Sequence, residues 1–388
     1  IPVVSIAEGG GGRPGDTDTE LTLAAGLNVQ TFAMMGSLSG VVPSVGILTG
    51  RCFAGNAALL GSCDAIIATA DANVGMAGPA MIEGGGLGNY RPEDIGPMSV
   101  QSPNGVVDVL VEDDAEAIAT AQRYLSYFTG ETAEWTVADQ RHLRHVVGEN
   151  RKQVYDQREL ISILADDDSV LELRRDFGIG AITALVRVEG RPMGLVANNP
   201  AHLGGAIDTD AADKMARFLQ LCDAHGLPVI SLCDTPGFMV GPDSEETATV
   251  RHFGRLFVIG AHLRVPMITV IVRKAYGLGA QAMAAGSFAR TAATVAWPTG
   301  EIGGMGLEGA VRLGFAKELD GIADPAAKER RYNELLDAHY ETGKAINGAM
   351  KHEFDEVIDP LDTRRWITAV IGDWVPGAIA GGRYIDTW

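Results

Sequence analysis

The sequence predicts an α/β fold in which a mainly parallel sheet is built twice, once in each half of the chain. Apolar runs of strand length alternate with segments of helical periodicity, which is typical of a parallel sheet covered by helices. Residues 228–234 repeat the pattern of residues 2–8: an apolar run, a serine and an acidic end. A Val-Pro pair then opens the next strand, at Pro43, 41 residues after Pro2, and at Pro266, 38 residues after Pro228. A duplication is the simplest explanation of this repeat.

The first half is predicted to alternate strands and helices around two glycine-rich turns. Its elements in order are a strand at 1–7, a turn at 8–15, a helix near 19–35, a strand at 42–48, a turn at 50–56, a helix at 57–63 and strands at 65–69 and 73–76. A helix at 112–128 begins with acidic residues, which favour a helix N-terminus. Because the chain begins at Ile1, inside a predicted strand and without an initiator methionine, we expect it to be a piece of a longer polypeptide.

The second half opens with a β-hairpin, whose strands at 179–188 and 191–197 flank Glu189-Gly190. Asp210 is predicted to cap the next helix, in which apolar residues form one stripe. Strands at 228–234 and 265–272, with a helix between them, repeat the order of the first half, and turns and helices follow Trp297. The charged segment 141–157 has little apolar periodicity, so we place two domains at residues 1–145 and 146–388.

The composition is that of a globular, acidic protein. Its 388 residues are 46% hydrophobic and 21% charged, enough for two domains or one large duplicated unit. The net charge of −19 argues against nucleic acid or an anionic membrane as the main partner. The four cysteines lack metal-type spacing and indicate reduced thiols, so we expect a cytoplasmic protein. No apolar run approaches the length of a membrane span.

Two short turns carry the clearest functional signal. One runs from Arg273 to Ala280 and the other from Gly50 to Asn56, each between a predicted strand and a predicted helix. Such a junction presents backbone N–H groups that have no partner within the helix and can stabilise an oxyanion. Glycine and alanine also serve close packing of a helix on a strand, but two such turns in equivalent places of a repeat favour a binding site.

Other chemistries receive less support from the sequence. Residues 36–40 do not place a serine at the centre of a Gly-x-Ser-x-Gly elbow, and the eight histidines are scattered. Residues 277–282 and 304–309 match a dinucleotide-binding pattern. The first match follows a strand, but no acidic residue ends a following strand about 20 residues later. Dinucleotide binding stays a weaker alternative, and no metal site is predicted.

Several motifs match one family pattern. They are Asp-Thr-Pro-Gly-Phe at 234–238, Arg-Lys-Ala-Tyr-Gly at 273–277 and Val-Ala-Asn-Asn-Pro at 196–200. On these motifs nearly the whole chain resembles the carboxyltransferase component of biotin-dependent acyl-CoA carboxylases, including the single-chain long-chain enzymes. The turn at 50–55 departs from the family, because Arg51, Phe53 and Ala54 stand where relatives have Pro, Ala and Gly. Leu278 likewise replaces a Gly.

The resemblance implies a duplicated crotonase-like fold, the ClpP/crotonase β-β-α superhelix, with two similar halves. It also implies transfer of a carboxyl group from carboxybiotin to the α-carbon of an acyl-CoA through an enolate. The implied hole for the thioester oxygen consists of Ala54, Gly55 and Asn56. The implied hole for the biotin ureido oxygen consists of Leu278, Gly279 and Ala280. Further residues expected to bind coenzyme A, the acyl group or biotin are Arg13, Arg51, Gly277, Phe238 and Gln281.

The same resemblance implies the partners of the chain. They are a biotin carboxylase and a biotin carrier, on the same or another polypeptide, an acyl-CoA substrate and further copies of the chain. In relatives the first half of one subunit faces the second half of another, within a hexamer built from dimers. A biotin-dependent acyl-CoA decarboxylase is an alternative. A crotonase-like hydratase or hydrolase is another, but it needs a catalytic carboxylate at the first turn, which is not evident.

Overall fold

The structure is a computed structural model that describes residues 1–11, 28–151, 153–375, 377 and 382–388. These residues form fourteen strands: β1 (Val3–Ile6), β2 (Ser44–Leu48), β3 (Arg51–Phe53), β4 (Ala65–Thr69), β5 (Asn73–Gly75), β6 (Val109–Val111), β7 (Leu171–Leu173), β8 (Ala181–Val188), β9 (Arg191–Asn198), β10 (Val229–Thr235), β11 (Met267–Tyr276), β12 (Ala293–Ala296), β13 (Glu301–Gly303) and β14 (Glu356–Val357).

The described residues also form sixteen α-helices: α1 (Thr31–Gly36), α2 (Gly55–Leu60), α3 (Pro79–Gly84), α4 (Met98–Gln101), α5 (Asp114–Ser126), α6 (Leu143–Val146), α7 (Gln157–Leu164), α8 (Thr209–His225), α9 (Pro242–Glu245), α10 (Thr249–Ala261), α11 (Gly277–Ala282), α12 (Leu307–Gly314), α13 (Ala316–Asp320), α14 (Pro325–Gly343), α15 (Ala345–Met350) and α16 (Thr363–Ile371). No helix among them is both long and apolar enough to cross a membrane.

Two larger sheets share one strand order. The first sheet has the order β1-β2-β4-β6, with every pair parallel. The second runs β14-β12-β11-β10-β9-β8-β7, so its β10-β11-β12-β14 part adds parallel strands in the same sequence. Strand β9 joins β10 in parallel, and β8 and β7 then extend the second sheet as antiparallel neighbours. In addition, β3 pairs with β5, and β13 pairs with the end of β11.

The second sheet is buried on both faces, which explains why its strands are nearly continuous apolar runs. On one face, a buried cluster joins Val229 of β10 to Phe218 of α8, Ala121 of α5 and Val45 of β2. On the other face, Ile230 belongs to a cluster that contains residues of α7 and α16. Neighbouring residues of β10 thus face opposite sides, as a strand requires. The first cluster joins the two sheets into one core.

Most predicted elements are confirmed. The predicted strand at 65–69 has the bounds of β4, and the predicted hairpin is β8 and β9, paired antiparallel. The helix predicted near 19–35 falls largely on residues outside the described ranges, and α1 begins at Thr31.

Four details differ from the predictions. Residues 51–53, which were predicted to lie in the turn at 50–56, form β3, because they pair with β5. Asp208, not Asp210, caps α8, because its carboxylate accepts the N–H of Ala211 at 2.8 Å. Strand β11 continues beyond residue 272 to Tyr276, because its last three residues pair with β13. Residues 304–309 follow the short strand β13 rather than a turn.

Candidate active site

The junction of β11 and α11, here called the second turn (residues 276–279), is shaped by two glycines. Gly277 has a φ of +57°, which glycine adopts without strain. At Gly279 a Cβ atom would lie 2.7 Å from the Cα of Gly237, so a side chain there would push the neighbouring loop away. The amides of residues 277–279 lie in the first turn of α11 and have no acceptor within the helix. The side chain of Leu278 is 60% exposed, so this segment lies at the surface.

A β-bulge precedes the second turn. The pairing of β10 with β11 shifts between the pairs Cys233–Ile271 and Thr235–Ala275. Over that interval β11 advances four residues while β10 advances two, so two residues of β11 are extra. Extra residues leave backbone groups without partners in the sheet and increase the local bend.

Buried Asp234 fills the gap that the bulge opens. Its Oδ1 accepts the backbone N–H of Lys274 at 3.1 Å, and its Oδ2 lies 3.0 Å from the guanidinium of Arg273. The hydroxyl of Tyr155 donates to the same Oδ2 at 2.9 Å. Burial, and then the charge of Asp234, raise the pKa of Tyr155 far above its ordinary value, so the phenol remains a donor. Asp234 therefore anchors β11 just before the second turn.

Glu301 supports the same turn from the other side. Its Oε2 accepts the hydroxyl of Tyr276 at 2.7 Å, and its Oε1 lies 2.8 Å from Nε of Arg151. The Arg151 guanidinium lies 3.7 Å from the ring centroid of Tyr340. Burial, followed by the charge of Glu301, raises the pKa of the Tyr276 phenol well above its ordinary value. The second turn is thus held by a buried carboxylate on each side.

The first turn (residues 54–56) joins β3 to α2. Ala54 has a φ of +56°, which is uncommon for a residue with a side chain. Its N–H donates to the carbonyl of Gly75 at 3.2 Å, so this amide, predicted to be an oxyanion donor, is already engaged within the protein. The amides of Gly55 and Asn56 remain at the start of α2. The Asn56 side chain donates to the carbonyl of Glu8 at 2.8 Å and ties α2 to the end of β1.

The two turns follow the same backbone path. β3 pairs with β5, and the end of β11 pairs with β13, each in parallel over three residues. The residue after each pairing has a positive φ, +56° at Ala54 and +57° at Gly277, and a short helix follows. The residues that then correspond are Gly55 with Leu278, and Asn56 with Gly279.

A cavity of about 550 Å³ lies beside the second turn. Gly277, Ala280 and the exposed Gln281 form one side of it, and its apolar lining includes Phe288, Ile302 and Leu307. Ala280 is the fourth residue of α11, where helix geometry directs its amide to the carbonyl of the capping residue Tyr276. The predicted donor Ala280 therefore lines the cavity with its side chain rather than with a free amide.

The remaining predicted site residues lie in different surroundings. Phe238 stacks on Phe253, with ring centroids 4.1 Å apart. Arg51 forms an exposed ion pair with Glu93. Arg13 lies outside the described residues. Within the described ranges, no group of three or more His, Cys, Asp or Glu side chains is arranged to hold a metal ion.

Sequence reasoning missed Glu301 and Tyr155. Glu301 contacts Tyr276 across 25 residues, and Tyr155 contacts Asp234 across 79. No spacing rule links residues so far apart. The pairing of β11 with β13 brings Glu301 to Tyr276, whereas Tyr155 reaches Asp234 from the irregular segment before α7.

Residues 1–371 match the model of a family described as "Carboxyl transferase domain". The chain is 33% identical over 343 residues to the methylmalonyl-CoA carboxyltransferase 12S subunit of Propionibacterium freudenreichii subsp. shermanii, covering 86% of this chain and 65% of that one. It is 31% identical over 379 residues to the biotin-dependent long chain acyl-coenzyme A carboxylase beta4 subunit of Mycobacterium tuberculosis, covering 94% and 71%.

A solved structure of a single-chain, multi-domain long-chain acyl-CoA carboxylase superposes with a TM-score of 0.89 at 59% identity. The superposition covers 95% of this chain and 36% of that one. The chain thus spans less than two thirds of the length of the 12S subunit and about a third of the single-chain enzyme.

Proposed function

This chain belongs to the carboxyl transferase family, and we propose from that premise that it transfers a carboxyl group from carboxybiotin to the α-carbon of an acyl-CoA. The observation that carries the proposal is the pair of turns with one backbone path, each able to offer amides to an oxygen atom. Two such turns suit a reaction in which two carbonyl-type oxygens, one on each reactant, gain negative charge.

We assign a duplicated crotonase-like fold to the chain, with halves at residues 1–145 and 146–388. The shared strand order of the two sheets supports the assignment, as does the correspondence of β3 and β5 with the end of β11 and β13. The boundary segment supports it as well, because its described residues before α7 form only the four-residue helix α6 and a short 3-10 helix. The duplication explains why each half carries one turn.

The first turn is assigned to the acyl-CoA. Gly55 and Asn56 donate to the thioester oxygen as the α-proton leaves and negative charge develops there, which lowers the barrier to enolate formation. Ala54 contributes the strained backbone that aims these amides, since its own N–H is engaged with Gly75. Arg51 and Arg13 are proposed to bind the phosphates of coenzyme A. Arg51 would exchange its exposed partner Glu93 for a phosphate.

The second turn is assigned to biotin. When bound, carboxybiotin supplies the carboxyl group and, after its release, a ureido nitrogen that can take the α-proton. The adjoining cavity fits a neutral bicyclic urea, because apolar walls such as Phe288 lie beside a turn whose amides can donate to its oxygen. Leu278 and Gly279 hold that oxygen, and Gln281 lies where the cavity meets the surface. The protein thereby supplies position and charge stabilisation.

The proposed partners are a biotin carboxylase and a biotin carrier, whether on the same polypeptide or another. An oligomer in which the first turn of one subunit faces the second turn of another, up to a hexamer of three dimers, would bring the two reactants together. The arrangement of the turns supports this, because they end strands of two different sheets.

The reverse half-reaction tests the proposal without a carrier. The chain is incubated with a carboxylated acyl-CoA and free biotin, and loss of the carboxyl group is followed with and without biotin. Biotin-dependent decarboxylation is expected. Loss that is equally fast without biotin, or no loss with any carboxylated acyl-CoA, contradicts the assignment.

A further inference from the structure

We propose that Glu301 is a positioning residue that holds the second turn, through the hydroxyl of Tyr276, in the geometry that receives the biotin ureido oxygen. This inference rests on the proposed function. It assigns to Glu301 no contact with substrate or cofactor, because the cavity is lined by Gly277 and Ala280 but by neither Tyr276 nor Glu301.

The first step of the argument is the place of Tyr276. This residue ends β11 and caps α11, and its side chain is buried. A shift of its ring therefore also moves the adjoining backbone, which carries the amides of Leu278 and Gly279. Its hydroxyl has one bond in the described structure, to Glu301 at 2.7 Å.

The second step is the weakness of the strand pairing at this point. β13 has only three residues, and Lys274 and Tyr276 pair with Glu301 and Gly303 respectively. Tyr276 and Glu301 are diagonal neighbours on one face of this short ladder, close enough for long side chains to meet. Because so short a ladder gives little stability alone, the side-chain bond is the main restraint that fixes the turn against β13.

The third step is the orientation of the carboxylate. Glu301 is 6% exposed, and a buried carboxylate is costly unless it is paired. Arg151 pairs with Oε1 at 2.8 Å and stacks on Tyr340, so Oε2 remains directed at the phenol. Side-chain contacts thus run without a break from Tyr340 through Arg151 and Glu301 to Tyr276.

The test compares Tyr276→Phe, Glu301→Ala and Glu301→Gln in the full chain. Two measurements are independent of turnover. They are hydrogen exchange of the amides of residues 280–282, which are bonded within α11, and the dissociation constant for free biotin. The kcat and the KM for the carboxylated acyl-CoA in the reverse half-reaction are measured as well. Glu318→Ala, which breaks an exposed ion pair with Arg331, is the matched control.

We expect Tyr276→Phe and Glu301→Ala to speed exchange of the bonded amides of α11 at least tenfold and to weaken biotin binding to a similar extent. The kcat should fall about 30-fold while the KM for acyl-CoA stays within twofold, because the thioester is held at the other turn. The variant that carries both Tyr276→Phe and Glu301→Ala should be no more impaired than either single variant, because both substitutions break the same bond. Glu301→Gln keeps one oxygen acceptor but cannot serve both Arg151 and the phenol, so it should fall between the wild type and Glu301→Ala. Glu318→Ala should match the wild type.

Wild-type exchange and biotin binding in Tyr276→Phe would overturn the inference, because this variant removes the hydroxyl and keeps the ring. A Glu301→Ala variant that matches the wild type in both measurements would overturn it too. These results leave the proposed function standing if the wild type transfers carboxyl groups, whereas a wild type that neither binds biotin nor transfers overturns both.

Discussion

The carboxylate of Asp234 accepts the backbone N–H of Lys274 at 3.1 Å, at the point where β10 and β11 lose their register. The side chain of one strand thus replaces the backbone acceptor that the bulge removes. The same carboxylate pairs with Arg273. Asp234 therefore does two things. It accepts a backbone N–H that the bulge leaves without a partner, and it neutralises a buried guanidinium. Both contacts lie two or more residues before the second turn.

Replacement of Asp234 by Asn should destabilise the fold strongly. Asparagine can still accept the Lys274 amide, but it leaves the buried Arg273 without a counter-charge, and such losses cost about 3–5 kcal/mol. Unfolding in urea measures the difference. Asp359→Asn is the matched control, because Asp359 pairs with Arg144 at the surface and its loss should cost at most about 1 kcal/mol. Equal effects of the two substitutions would refute this role for Asp234.

Leu278→Pro should lower turnover by removing one donor from the second turn. Proline is tolerated in the first turn of a helix, so the fold should persist, while loss of one oxyanion donor reduces kcat about 10²–10³-fold. Leu278→Ala keeps the amide and removes the exposed side chain, so it should stay within about threefold of wild type. If both variants lose the same activity, the side chain rather than the amide matters, and the assignment of this hole is wrong.

Lys214 should make stability depend on pH. Its ammonium group is buried and donates to the carbonyls of Phe177 and Ala181 at 3.0 and 2.8 Å, and burial lowers its pKa to about 7. Between that value and the ordinary lysine pKa, the unfolded chain binds a proton that the folded chain lacks, so stability rises with pH. Relative to Lys214→Met, wild type should gain about 2 kcal/mol between pH 7.5 and pH 9. Parallel pH profiles of the two proteins would show that Lys214 titrates normally.

The sequence alone was sufficient to predict the strands and turns that a local residue pattern determines. The apolar runs predicted β2, β4, β10 and the hairpin of β8 and β9, because burial on both faces and turn chemistry leave a clear mark. The extension of β11 to Tyr276 was missed, since Arg273 and Lys274 look unlike strand residues until Asp234 and β13 lie beside them.

The two turns were predicted in position, and their role as a site stays a prediction. Glycine spacing located both turns, yet it could not show that the Ala54 amide is engaged with Gly75, a contact between segments that only the fold brings together. The same holds for Glu301, whose importance comes from a pairing of strands 25 residues apart. A tight turn fixes the register of a hairpin, but no such turn joins strands that are far apart in the chain, so their contacts could not be predicted locally.

The most direct test of the account is transfer of an isotopically labelled carboxyl group from carboxybiotin to a chain-length series of acyl-CoAs. The account predicts label in the acyl-CoA of at least one chain length, attached at the α-carbon, and a rate reduced about 100-fold or more in Leu278→Pro but not in Leu278→Ala. Absence of label from every acyl-CoA, with carboxybiotin shown to be intact at the start, would contradict the central claim.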